Sequence, residues 1–198
     1  MDCSRAYSSR VPEIGLFPLE LVLLPGERVP LHIFEDRYRE LIGECLAEES
    51  EFGLILEDGD GLRQVGTSTG VLELVHEFDD GRMNVLVEGR TRFRVLELTD
   101  GRSFVTAEIE PLEDDEDASA EDEALRTLKI FRQLVAVAEA EQVEEPSATD
   151  PFLSFRLAAR VDFGHELKQE LLERAAEALV REREVRDRAS GNGKVTRH

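Results

Sequence analysis

Between Phe52 and Leu112 the chain is cut by Asp-Gly pairs: Asp58-Gly59 with Asp60-Gly61, then Asp80-Gly81, then Asp100-Gly101. Apolar runs fill the intervals: "FGLIL", "QVGTSTGVLELVHEF", "MNVLVEGRTRFRVLEL" and "SFVTAEIEPL". Such pairs between apolar runs mark hairpins, because glycine enters the left-handed backbone region without a steric penalty. The region is therefore restricted to a meander of antiparallel strands. In Arg92-Phe93-Arg94-Val95 the side chains alternate polar and apolar, as on a half-buried strand. The phase slips at Leu96, where a bulge is expected.

Residues 14–34, "IGLFPLELVLLPGERVPLHIF", are apolar but interrupted by Pro18, Pro25, Gly26 and Pro30. Proline cannot donate to a ladder or continue a helix, so short strands and tight loops are expected, with Pro25-Gly26 as a turn. Helical spacing follows. Tyr38, Leu41, Ile42, Cys45 and Leu46 form one apolar stripe over about three turns. Asp36 is the expected N-cap, since its carboxylate can accept a free first-turn N–H.

Residues 113–123, "EDDEDASAEDE", hold almost no apolar side chain and read as an acidic linker. They lack the spacing and central glycine of a calcium-binding loop. Beyond them, Ala124, Leu128, Phe131, Val135 and Ala138 share a helix face. Asp150-Pro151 is a helix start, and Asp162-Phe163-Gly164 a break. Leu167, Leu171, Leu172, Ala175 and Leu179 form the last stripe. The expected organisation is a β-rich unit at 1–112, the linker at 113–123, a helical unit at 124–188 and a disordered tail at 189–198.

The 198 residues carry 44 acids against 24 bases, a net charge of -20. Phosphate contacts need a basic surface, so nucleic acid is excluded as a partner. An anionic membrane surface is excluded on the same ground. No apolar run reaches the roughly 18 residues of a membrane span. The opening "MDCSRAYSSRVPEIG" lacks the apolar core of a secretory signal, so a cytoplasmic setting is expected. Cys3 and Cys45 are not expected to form a disulfide.

Gly66-Thr67-Ser68-Thr69-Gly70 matches G-x-S-x-G, the nucleophile elbow of serine hydrolases. That elbow needs a helix directly after the serine. Here "VLELVHEF" follows, which is strand-like. Gly59-x-Gly61 and Gly193-Lys194 fail as phosphate loops, because Gln64, Arg188 and Val195 stand where the motifs need other residues. Histidines and cysteines are scattered, so no metal site is proposed and no cofactor is implied.

At residues 16–46 the chain resembles the opening of the Lon protease N-terminal domain family. The matching parts are Leu16-Phe17-Pro18-Leu19, Leu24-Pro25-Gly26, Pro30-Leu31-His32-Ile33-Phe34-Glu35 and Arg37-Tyr38. Phe52-Gly53, Val65-Gly66-Thr67, "VEGRTRFRVLEL" and "DPFLSFRLAARVDFGHELKQELLE" continue the likeness to about residue 180. The resemblance implies an α+β fold: a PUA-like β pseudo-barrel with one helix, followed by a C-terminal helical bundle. It also implies a role in recognising unfolded or tagged polypeptides. The ATPase and the Ser-Lys protease lie downstream in Lon proteases and are expected to be absent here, so the chain is expected not to be an enzyme.

The candidate surface for polypeptide segments is where the proline-rich loops meet the first helix: Phe17, Leu24, Pro25, His32, Phe34, Glu35, Arg37 and Tyr38. Large apolar residues are ordinarily buried, so a competing reading places Phe34 and Tyr38 in the core. Two other functions compete. One is an adaptor that docks its helical unit on a folded protein partner, such as a protease. The other is a small-molecule pocket or enzyme built on the barrel.

Overall fold

The turns follow from their glycines. Gly26, Gly61, Gly81 and Gly101 adopt φ of 76°, 99°, 80° and 121°, the left-handed region that side-chain-bearing residues avoid. A computed structural model describes residues 12–112, 125, 128, 129, 131, 132, 146, 147, 153–160 and 164–174. Its strands are β1 (Glu13–Leu19), β2 (Arg28–Ile33), β3 (Phe52–Asp58), β4 (Gly61–Leu62), β5 (Val65–Glu77), β6 (Met83–Thr99) and β7 (Thr106–Leu112). Helix α1 is Asp36–Glu48 and α2 is Leu153–Ala158.

The expected meander is present, and it closes. The sheet order is β1-β7-β6-β5-β3-β4, and β1 also pairs with β3 in parallel, from Leu16 opposite Gly53 to Leu19 opposite Leu56. The ring so formed is filled by Leu16, Ile55, Phe93, Ala107 and Ile109. Gly66 serves this packing. A β-carbon there would lie 2.7 Å from the Leu54 carbonyl oxygen and 2.7 Å from the Phe93 ring.

β5 and β6 run on past the ring. There β6 pairs with β2 on one side, Arg28 opposite Glu88 through Ile33 opposite Met83, and with β5 on the other. This three-stranded flap has one core face, carrying Met83, Val85 and Val87, and one open face, carrying Asn84, Leu86 and Glu88.

Helix α1 packs under the core face. Tyr38, Leu41, Ile42 and Cys45 are buried there with Phe17, Phe52, Val85 and Val87, whereas Leu46 on the same stripe stays exposed. Burying each such Leu or Ile is worth roughly 2 kcal/mol. The N-cap is Glu35, with no side-chain capping bond, not Asp36. Asp36 is already helical and instead pairs with Arg39 one turn on. Burial pushes the Cys45 thiol up from its ordinary range. In a Cys3→Ser background, native protein at pH 8 should therefore react with iodoacetamide far more slowly than the unfolded chain. Equal rates would show that Cys45 is not shielded.

The alternation read in Arg92-Phe93-Arg94-Val95 is corrected at Arg92, which is 0% exposed. Its guanidinium donates to the Leu172 carbonyl at 2.9 Å and lies over the Phe155 ring at 5.3 Å. The slip at Leu96 is present: the β6–β7 register jumps between Val95 and Glu97, as a bulge requires.

Leu172 explains why Arg92 turns inward. It lies in a helical stretch, 164–174, and packs with Val22, Leu24, Leu56, Val65 and Leu112. Lys168 Nζ donates to Glu27 Oε1 at 2.6 Å, and the other Glu27 oxygen accepts the Leu24 N–H at 2.9 Å. Gln169 Nε2 donates to the Val65 carbonyl at 3.1 Å. The Leu24-Pro25-Gly26-Glu27 turn therefore docks the helical residues onto the ring. Leu128 and Phe131 cluster with Leu153 and Leu157 of α2. The described residues are thus mostly antiparallel sheet with few helices, and the expected bundle is traced only in these segments. The acidic linker, the Asp150-Pro151 start, the break at Asp162-Phe163 and the tail lie outside the described residues.

Candidate functional site

The open face of the flap is shaped by two bulges in β5. From Val71 opposite Val87, unbroken alternation through "VLELVHE" would set Glu73 opposite Val85, on the core face. Instead the register jumps at Leu72, so that Glu73 meets Leu86 and Leu74 meets Val85. A second jump at Val75 sets His76 opposite Asn84. Residues opposite one another share a face, so the first bulge keeps Glu73 and the second His76 off the core face, while Glu77 falls opposite Met83 at the exposed end of the strand. A buried unpaired carboxylate would cost far more than a lost ladder bond. The extra residues, Leu72 and Val75, are left 40% and 56% exposed.

Across the open face His32, Asn84 and His76 stand in one row on β2, β6 and β5. Asn84 Oδ1 can only accept, so His32 donates to it from Nδ1, at 2.6 Å. Phe34 stacks on His32 with ring centres 6.1 Å apart. Phe78 meets His32 edge-on at 5.9 Å and His76 at 4.4 Å. The guanidinium of Arg82 lies over Phe78 at 5.2 Å. Phe34 is 61% exposed, which overturns the expectation that it joins the core.

The residues expected at a binding surface divide. His32, Phe34 and Arg37 are exposed and Glu35 is half-buried, paired with Arg37 at 2.9 Å. Phe17, Leu24, Pro25 and Tyr38 are buried: Phe17 and Tyr38 lie in the core under the flap, whereas Leu24 packs with Leu172 on the ring, away from that face. Phe17 and Tyr38 rings meet at 4.0 Å, and the Arg37 guanidinium lies over Tyr38 at 4.4 Å. Burial pushes the Tyr38 hydroxyl up from its ordinary range, against the opposing pull of Arg37. Leu72, Val75, His76 and Phe78 escaped the sequence reading. Their only signal was the Glu73 that breaks an otherwise apolar alternation.

No hydrolytic chemistry is assembled at Ser68. It lies in β5, where its hydroxyl pairs with Thr91 Oγ1 at 2.9 Å and accepts the Thr91 N–H at 3.2 Å. A strand, not a helix, continues from Gly70. Among the described residues no group of His, Cys, Asp and Glu could hold a metal ion. No described helix is long and apolar enough to cross a membrane.

A closed ring carrying a flap whose aromatic face is exposed among the described residues defines the class: a small β-barrel module. Residues 13–177 match the model of the ATP-dependent protease La (LON) substrate-binding domain, and the chain belongs to that family. It is 30% identical over 169 residues to Lon protease 1 of Hydrogenovibrio crunogenus, covering 78% of this chain and 21% of that protein. It is 29% identical over 168 residues to Lon protease of Anaeromyxobacter dehalogenans, covering 77% and 20%. The chain thus spans about a fifth of the length of these relatives. The fold matches a Lon N-terminal domain protein from Xanthomonas campestris with a TM-score of 0.65 and 25% identity, over 86% of this chain and 98% of that one. The N-terminal domain of the Mycobacterium avium complex Lon protease matches with a TM-score of 0.60 and 18% identity, over 85% and 96%, and shares the fold. What is matched is the substrate-binding domain, which is non-catalytic.

Proposed function

We propose that this chain is a non-catalytic module that binds unfolded or exposed polypeptide segments, in a cytoplasmic setting. The observation that carries the reading is Phe34, an aromatic side chain 61% exposed on an open sheet face and stacked on His32. Leaving such a ring in water forfeits roughly 2 kcal/mol that a bound apolar segment recovers. Apolar surface gathered in one place on a soluble domain marks a contact site more often than an accident of packing. The family supplies the kind of contact, since its model is that of a substrate-binding domain.

Light scattering tests the reading. The purified chain, in excess, should slow the aggregation of chemically reduced insulin without any nucleotide. Unchanged aggregation, together with no capture of unfolded chains on a resin carrying the protein, would remove the basis for it.

A further inference from the structure

Resting on the reading just given, we propose that the open face of the β2-β6-β5 flap is the docking surface, and that it selects extended segments in which aromatic or aliphatic side chains alternate with lysine or arginine. The apolar half of the preference comes from His32, Phe34, Leu72, Val75, His76 and Phe78. The first pair lies before α1 and the rest in β5 or just after it, yet the rings touch in one chain from Phe34 through His32 and Phe78 to His76.

The charged half comes from the pairing of ions around that face. Each arginine there is already matched: Arg28 to Glu88, Arg37 to Glu35, Arg39 to Asp36 and Arg82 to Asp80. Glu73 on that face, and Glu77 and Asp79 at the end of β5 and just beyond it, are exposed carboxylates with no such partner among the described residues. The uncompensated charge at the rim is therefore negative, and a cationic segment neutralises it. The rings suit the same cations. Arg82 over Phe78 and Arg37 over Tyr38 already hold guanidinium against an aromatic face within this fold, and the exposed face of Phe34 can do so for an incoming arginine. A second copy of the chain is a poor occupant, because it would bring the same unpaired acids and a net charge of -20 to the contact. Pairing along the edge of β5 that has no partner strand among the described residues is limited by the bulges at Leu72 and Val75, so side chains rather than a long ladder must carry recognition.

The test uses the full chain and two fluorescein-labelled peptides, one alternating Phe and Leu with Arg and one with Glu in place of each Arg. Fluorescence anisotropy should show the Arg peptide binding at least about tenfold more tightly, with the difference shrinking as salt is added. Phe34→Ala should weaken the Arg peptide by about tenfold, and the double change Glu73→Lys with Glu77→Lys by a similar factor. These side chains are exposed, so melting temperatures should stay at the wild-type value. Equal binding of both peptides would overturn the charge preference. Wild-type affinity in Phe34→Ala would overturn the site, while capture of unfolded insulin would leave the general function standing. Failure of the wild type to bind any unfolded chain would instead sink that function. Self-association lost in Phe34→Ala, without peptide binding, would identify the face as a contact between copies and overturn the proposal.

Discussion

Arg92→Ala is expected to cost about 3 kcal/mol or more of folding stability, although Arg92 lies far in sequence from the residues it holds. Its guanidinium is fully buried, donates to the Leu172 carbonyl and lies over Phe155. Truncation leaves that carbonyl without its donor and a void where the long side chain lay. In a domain of this size each kcal/mol moves the melting temperature by roughly 2–4 °C, so a fall on the order of 10 °C is expected in a thermal melt. Arg92→Lys keeps a charge and a donor but not the planar fork, and should fall between the two. A loss below about 1 kcal/mol in Arg92→Ala would mean that the helical stretch 164–174 does not dock on the ring as described.

The second large effect is at Gly66. Its φ is not in the left-handed region, so what the position demands is space. A β-carbon would press on a backbone carbonyl, that of Leu54, which cannot rotate away, and on the buried ring of Phe93. Gly66→Val should therefore destabilise by roughly 2–3 kcal/mol. Gly70 is the internal control. The nearest atoms to a β-carbon there belong to the Arg90 side chain, at 2.6 Å, and that flexible chain is half in solvent and held by an ion pair to Glu51 that can shift with it. Gly70→Ala should cost less than about 1 kcal/mol. Urea unfolding of both variants would separate the two sites, and equal losses would contradict the packing given for the ring.

The two glycines of the serine-centred motif thus have separate structural roles, and the serine between them pairs with Thr91. This was legible in the sequence, because strand-like residues follow Gly70 and no helix starts there. The Asp-Gly turns, α1 and the slip at Leu96 were legible for the same reason: each is set by local backbone chemistry. Closure was not. It depends on Leu16–Leu19 meeting Gly53–Leu56 in parallel, a pairing between segments separated by a turn, a strand and a helix. Arg92 was misread because alternation reports which face a residue takes and not what covers that face. Here the helical residues cover it. The competing reading of Phe34 as a core residue failed in the opposite direction, since the tendency of large apolar side chains to be buried is statistical and here the ring lies exposed just beyond β2. Half of the candidate face lay in a stretch, Leu72 to Phe78, whose broken alternation does not by itself show which face each residue takes until the bulges are seen. They are forced by Glu73 and His76, which the core cannot hold.

The central claim is that this domain distinguishes unfolded polypeptide from folded. Isothermal titration of the chain with reduced, carboxymethylated α-lactalbumin, and separately with the native disulfide-bonded protein, tests it most directly. Saturable binding of the unfolded form with a negative heat-capacity change, and none of the native form, is the predicted result. Equal binding of both forms, or of neither, would contradict it.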